Sequence, residues 1–216
     1  SFLVNEVLAF EYKNFDEIIN SSSIDAITSA MVSKQKAHFD GHAGERLLKV
    51  VNEVYSRQNI FLSYASRTDV DIYFNWANDK EVRKNSFDST PISYETHCKW
   101  FESNISSTDS FFCIFKTAEN IPVANIRFKI SNGVALLSYL IDERFRGLSL
   151  GKSILTLGTK EIFNKKQEVT EIEGFVKQEN IASIKAFQAA GYLEMPSKNQ
   201  SIKHFIINKE KYDKSI

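Results

Sequence analysis

Apolar residues recur at two different periods along this chain, and the change of period divides it. In 43–57, Leu47, Leu48, Val50, Val51 and Val54 fall at helical spacing, and the preceding Asp40-Gly41 supplies a turn and cap. An earlier helix is expected over 24–36, after the Ser21-Ser22-Ser23 break, and a short apolar run occupies 3–10. One strand and two or three helices make a poor core of their own. Residues 1–58 therefore read as a small, mainly helical appendage, and 59–214 as the main domain.

From Ile60 onward, period-two runs predominate. Strands are predicted at 60–65, 111–116, 123–130 and 134–141, with Ser131-Asn132-Gly133 as a hairpin signal between the last two. Helices are predicted over 69–78, with Val70, Tyr73 and Phe74 on one face, and from the Ser93 cap to 104. Beyond 150 the elements alternate: helix 151–165, strand 171–177, helix 180–190 ended by Gly191, then closing strands at 192–194 and 203–208. This order predicts an α/β domain, a mixed sheet flanked by helices.

Composition narrows the function. Lys plus Arg equals Asp plus Glu at 27 each, which gives no overall electrostatic case for nucleic acid or a membrane surface. No apolar run approaches the ~20 residues of a membrane span, and no basic-then-apolar leader opens the sequence. Cys98 and Cys113 have no metal-ligand spacing and form no disulfide framework, so no metal is expected and a reducing cytoplasm is the expected setting.

The richest chemistry lies in Arg146-Gly147-Leu148-Ser149-Leu150-Gly151, followed at once by Lys152. A short turn of small residues between an apolar strand and a helix leaves backbone N–H groups free at the helix N-terminus. Partial positive charge there favours a phosphate. Gly147, Ser149 and Gly151 let a pyrophosphate approach the backbone, and Arg146 and Lys152 add fixed charge. About thirty residues later comes Asn180-Ile181-Ala182-Ser183-Ile184-Lys185-Ala186-Phe187-Gln188-Ala189-Ala190-Gly191-Tyr192.

Together these two elements resemble the GNAT superfamily of acetyl-CoA-dependent N-acetyltransferases, whose Arg/Gln-x-x-Gly-x-Gly/Ala loop holds the coenzyme pyrophosphate. Arg146 and Gly151 match that loop, and Ser149 stands where the family usually has Gly. The resemblance implies a largely antiparallel GNAT-type central sheet and acetyl-CoA as cosubstrate. It implies coenzyme contacts from Leu140 and Ile141 on the preceding strand, from Arg146 to Lys152 in the loop, and from Asn180, Ser183 and Phe187 on the later helix. Asn180 also reads as an ordinary N-cap, and Lys185 as either a coenzyme neighbour or a solvated position.

A second run, from Asn75 to Phe87 with Tyr94, His97, Trp100 and Phe101 after it, resembles one branch of the superfamily. That branch acetylates amino groups on nucleotide-linked amino-deoxysugars, the pseudaminic acid pathway enzyme being the named relative. The resemblance spans roughly 61–210 and implies an acceptor pocket containing Arg83, Phe87, His97 and Trp100. Arg83 suits a diphosphate but reads equally as a surface ion pair, and the aromatics suit sugar or base stacking as well as core packing. Phe39-Asp40-Gly41-His42-Ala43-Gly44-Glu45-Arg46 partly resembles the end of the same pathway's nucleotide-sugar hydrolase. The partners so implied are a small nucleotide sugar and a fused or associated hydrolase; a homodimer is an option that the residues leave open. No hydrolase activity is expected of this chain itself.

Proton handling is the least specified. Many family members carry Tyr at the position of Phe187 to protonate the thiolate; Tyr139, Tyr192 and Ser138 are the local substitutes. His97 is the expected base, its ordinary pKa lying near ~6.5, with Glu173 acting through water as the other choice. The function expected is acetyl transfer to a nucleotide-linked amino-deoxysugar. The alternatives are a protein N-terminal or aminoglycoside acetyltransferase, or a domain that binds acyl-CoA without turnover.

Overall fold

The computed structural model describes residues 60–197 and 199–213, together with Ser29, Val32 and Ser33, which are helical and exposed. The described domain belongs to one compact unit, Glu53–Ile216. The remaining expectations for 1–58, including the hydrolase-like run, lie outside the described residues.

Alternation along the strands decides the layering. β1 (Phe61–Tyr64), β2 (Ser110–Lys116), β3 (Pro122–Ser131) and β4 (Val134–Ile141) form an antiparallel meander. In β2, Cys113 and Phe115 enter one core while Phe112 and Ile114 enter another on the opposite face. Asn132 and Gly133 both have positive φ, 49° and 80°, which is the backbone a tight right-twisted hairpin requires.

Helices then cover the two faces. α1 (Val70–Ala77), α2 (Lys80–Asn85) and α3 (Tyr94–Ile105) follow β1. Tyr73, Trp76 and Phe101 from α1 and α3 pack on Phe112 and Ile114. α4 (Leu150–Lys165) crosses the other face, burying Leu150, Ile154, Leu155, Ile162 and Phe163 as a helical stripe. β5 (Glu171–Lys177), α5 (Ile181–Ala189), β6 (Leu193–Met195), β7 (Ile202–Asn208) and α6 (Lys209–Asp213) complete the domain. The sheet order is β1-β2-β3-β4-β5-β7-β6, and β4–β5 is the parallel pair, joined through α4. This is the predicted mixed, largely antiparallel sheet.

Two helices were not foreseen. α2 has six residues with Val82 as its single apolar member, and α6 is shorter still, so neither carries a periodic signal. Among the described residues, no helix is long and apolar enough to cross a membrane.

Candidate active site

The parallel ladder between β4 and β5 runs only from Val134↔Glu171 to Leu137↔Gly174. Both strands continue, β4 to Ile141 and β5 to Lys177, so they part beyond Leu137. The parting leaves backbone groups of β4 from Ser138 onward without their β5 partners, which is what an inserted amide-bearing chain needs. It also opens a route from one face of the sheet to the other.

On the α4 side of the gap lies the loop. Gly147 has φ 76° and Ser149 φ 59°, so the chain makes two left-handed turns before α4 begins at Leu150. The family preference for Gly at the Ser149 position has its reason here, because a side chain in this region is strained. Ser149 makes no capping bond with its side chain, so the first N–H groups of α4 remain open to an anion. Leu148 and Leu150 are buried in the core and can contribute only their backbone. Lys152 is exposed and makes no hydrogen bond or ion pair with the described residues.

Arg146 departs from expectation. Its Nε donates to the Ile141 carbonyl at 3.0 Å and its Nη2 to Asp79 at 2.6 Å, so its charge is neutralised by the cap of α2 rather than left facing a phosphate. Gly151 is needed for close approach: a Cβ there would lie 2.7 Å from Ala186 Cβ on α5. α4 and α5 therefore sit tightly side by side on this face.

Asn180 is an N-cap, accepting from the Ser183 N–H at 3.1 Å, which leaves its amide NH₂ to donate elsewhere. Tyr139 projects to the same side and donates to Ser183 Oγ at 3.2 Å; burial raises its pKa, so it holds its proton firmly. Phe187, expected beside the coenzyme, is buried, stacked on Phe205 and packed against Tyr192 and Tyr139. Tyr192 is also withdrawn into the core, its hydroxyl paired with Thr159. Of the proposed thiolate acids, Tyr139 and Ser138 remain beside the gap.

The opposite face carries a cleft of about 740 Å³. Arg83, Phe87, His97 and Trp100 all line it, so the structure brings the predicted acceptor residues together. Leu140, from the same strand, packs against the neighbouring aromatic core. The sequence reading missed two cations from β3: Arg127, beside Ser138, and Lys129, beside Leu136. Their alternation with Ile126, Phe128 and Ile130 reads as an ordinary solvent face, and nothing local distinguishes a cleft from solvent.

Among the described residues Arg83 does not form the surface ion pair that is one reading of it. Its Nη1 donates to the carbonyls of Asp88 and Thr90, and its Nη2 to Ser86 Oγ. It thereby holds the α2–α3 loop in shape along the cleft. Phe87 is 61% exposed on that loop and free to meet a ligand.

His97 is buried against Phe74, Trp100 and Phe101. Burial lowers its pKa, the Val70 carbonyl acts in the opposite sense, and the Arg127 charge adds to the lowering. Its Nε2 has no hydrogen-bond partner among the described residues. A neutral imidazole with an unpartnered ring nitrogen can take a proton, and here that nitrogen is covered by the side chains around the cleft wall.

Glu173 stands across β4 from Leu136, one row outside the cleft lining. Its Oε1 lies 3.6 Å from His204 Nε2, and His204 stacks on the cleft residue Phe175 at 4.5 Å. His204 was not anticipated, because it is brought here only by the pairing of β5 with β7. Among the described residues no cluster of His, Cys, Asp or Glu can hold a metal.

Parted parallel strands, a loop with open helix N–H groups on one face and a cleft on the other form the arrangement that the GNAT resemblance implies. The family model described as Acetyltransferase (GNAT) domain matches residues 59–193, so this chain belongs to the GNAT family and is an acetyl-CoA-dependent N-acetyltransferase. That sets aside a domain that binds acyl-CoA without turnover. No curated protein matches the chain by sequence. Among solved structures, the fold is similar to a Vibrio cholerae spermidine N-acetyltransferase in complex with CoA and spermine, at TM-score 0.64 and 14% identity over 72% of this chain and 98% of that one. An aminoglycoside acetyltransferase, AAC(6')-Ib with coenzyme A and kanamycin, gives 0.61 and 13% over 72% and 98%. A domain from Methanocaldococcus jannaschii gives 0.60 and 18% over 69% and 97%.

Proposed function

We propose that this chain moves acetyl from acetyl-CoA to a primary amine on a nucleotide-linked amino-deoxysugar. The observation that carries the reading is the charge of the acceptor cleft: among the described residues, Arg83, Arg127 and Lys129 line it and no carboxylate does. An anionic acceptor is attracted there. A polyamine or an aminoglycoside, the ligands of the spermine and kanamycin complexes, would meet like charge there. Phe87, Trp100, Phe112 and Phe175 supply faces for a sugar or base.

The chemistry follows from the two sides of the gap. Pantetheine lies between the parted ends of β4 and β5, with the pyrophosphate on the loop of Gly147 to Lys152. The neutral amine attacks the thioester carbonyl from the cleft, forming the C–N bond, and a β4 backbone N–H beyond Leu137 stabilises the oxyanion. His97 takes the amine proton through Nε2, with Glu173 able to act through water. The C–S bond then breaks, and Tyr139 or Ser138 returns a proton to the thiolate. Holding both reactants in register supplies up to roughly 7–11 kcal/mol of the barrier. We place the reaction in the cytoplasm, in keeping with the free thiols of Cys98 and Cys113. The partial resemblance of Phe39–Arg46 supports association with a nucleotide-sugar hydrolase.

The test is thiol release from acetyl-CoA against a panel: UDP-linked 4-amino-4,6-dideoxysugars, CMP-sugars, kanamycin, spermidine and an N-terminal peptide. Release with a nucleotide sugar alone is expected. Silence with every sugar and turnover of a peptide or polycation would replace the acceptor assignment.

A further inference from the structure

The proposed acceptor carries a diphosphate, and Arg83 is the residue that sequence offers for it, yet Arg83 spends its Nη groups on the loop of Ser86, Asp88 and Thr90. The cleft contains a better placed cation. Arg127 sits in the middle of the sheet, opposite Phe112 on β2 and Ser138 on β4. It is partly buried, and it makes no ion pair with any described residue. Its Nε donates to Ser138 Oγ at 2.6 Å, and its guanidinium lies 4.8 Å from the centre of the Trp100 ring.

A guanidinium has five N–H donors, and only one of these is used here. The stacking on Trp100 and the bond to Ser138 fix its plane, so the two Nη groups present a preset fork. Desolvation lowers the Arg127 pKa; the buried Tyr73 opposes this and the neighbouring Arg83 charge adds to it. A charge kept without a counter-ion in such a place is costly to the fold, and a bound anion removes that cost.

The geometry points to Arg127 as the residue that binds a phosphate oxyanion of the acceptor, through its two free Nη groups, with Lys129 adding charge alongside. This inference rests on the proposed function and assigns its anion to a residue outside the family-like motifs. Ser138 is also the first β4 residue beyond the ladder with β5. The anchored phosphate therefore lies near the parting of the strands, and the reacting amine lies about one sugar ring away from it.

The experiment uses the full chain and UDP as probe, read by titration calorimetry and by competition against the sugar acceptor. Arg127→Met is expected to weaken UDP binding and raise the acceptor KM by about 10–100-fold, the usual weight of hydrogen bonds to a charged group, with the acetyl-CoA KM unchanged. Arg127→Lys keeps the charge without the fork and should recover only part of the loss. It also tests the idea should the Met variant fail to fold, which its acetyl-CoA KM would reveal. If wild type binds UDP and acetylates a nucleotide sugar while both variants bind UDP as tightly, the Arg127 assignment is overturned and the proposed function stands. A fall in kcat with UDP binding unchanged overturns it too. If wild type neither binds UDP nor acetylates any nucleotide sugar, the proposed function fails, and this inference with it.

Discussion

One carboxylate oxygen, Asp79 Oδ1, accepts from Arg146 of the coenzyme loop at 2.6 Å and from the Val82 N–H at the start of α2 at 3.0 Å. The pair ties the coenzyme face of the domain to the helix that carries Arg83. On the other flank, Lys177 at the end of β5 donates to the Lys84 carbonyl at 2.8 Å, so α2 is held from both parted strands. Replacing Asp79 by Ala removes the cap, worth about 1 kcal/mol, and the tether together. The expected kinetic result is a rise in KM for both acetyl-CoA and acceptor, whereas Phe87→Ala raises the acceptor KM alone. An Asp79→Ala enzyme with an unchanged acceptor KM would contradict the coupling.

Acid should loosen the same region. Burial pushes the Asp79 carboxyl up, but the Arg146 guanidinium and the Val82 and Glu81 N–H groups outweigh it and the pKa falls. Asp142 behaves alike: burial raises it, while Arg144 and the Trp76 indole N–H, at 2.7 Å, bring it below the usual value. A carboxylate with a depressed folded pKa contributes its full stability above the unfolded value, near ~3.9, and loses it as pH falls through the folded value. Urea unfolding should therefore show stability falling below about pH 4, with a shallower fall in Asp142→Asn. An equal fall in that variant would remove Asp142 from the account.

The proposal that His97 is the base predicts the acid limb of activity. Its lowered pKa keeps the ring neutral at pH 7, so kcat/KM should decline only below the ordinary histidine value of about 6.5. Stability linked to this ring is complete above that unfolded value and is lost as pH falls through the lower folded one. His97→Gln should lower kcat by roughly 10²–10⁴-fold with the acetyl-CoA KM unchanged. An acid limb above pH 7, or a fully active Gln variant, would assign the base elsewhere.

Ser149 stores strain that glycine would release. At φ 59° a side chain costs about 1 kcal/mol or more relative to Gly. Ser149→Gly should raise the melting temperature by about 2–4 °C for a domain of this size. Coenzyme affinity should hold or improve, since the loop already has its binding shape. A lowered melting temperature would mean that the hydroxyl contributes something the structure does not show.

Sequence made the conformation of the loop proposed for the coenzyme legible and left the lining of the cleft largely hidden. The loop announces itself because Gly147 and Gly151 answer local demands, a positive φ and a close helix contact, that few other residues meet. The strands on either side follow from alternation alone. α2 was not legible, since tertiary ties through Asp79 and Lys84 hold it rather than an apolar stripe. Arg127 and Lys129 obey the pattern of a solvent-facing strand, so only the packing of α3 across the sheet turns them into cleft residues. His204 and Glu173 meet through a pairing of strands about thirty residues apart. The burial of Phe187 was hidden for a related reason: a motif position gives the helix face, while Gly174, Phe205 and Tyr192 decide how deeply it is buried.

The sign of the acceptor's charge is the centre of the account, and one comparison tests it most directly: kcat/KM for a UDP-linked 4-amino-4,6-dideoxysugar against spermidine, measured in the same assay as ionic strength is raised. The cleft of Arg83, Arg127 and Lys129 predicts a strong preference for the nucleotide sugar that narrows with added salt, because screening weakens the attraction of an anion to exposed positive charge. Preference for spermidine, or a nucleotide-sugar rate that ignores salt and is no faster than the polyamine's, would contradict it.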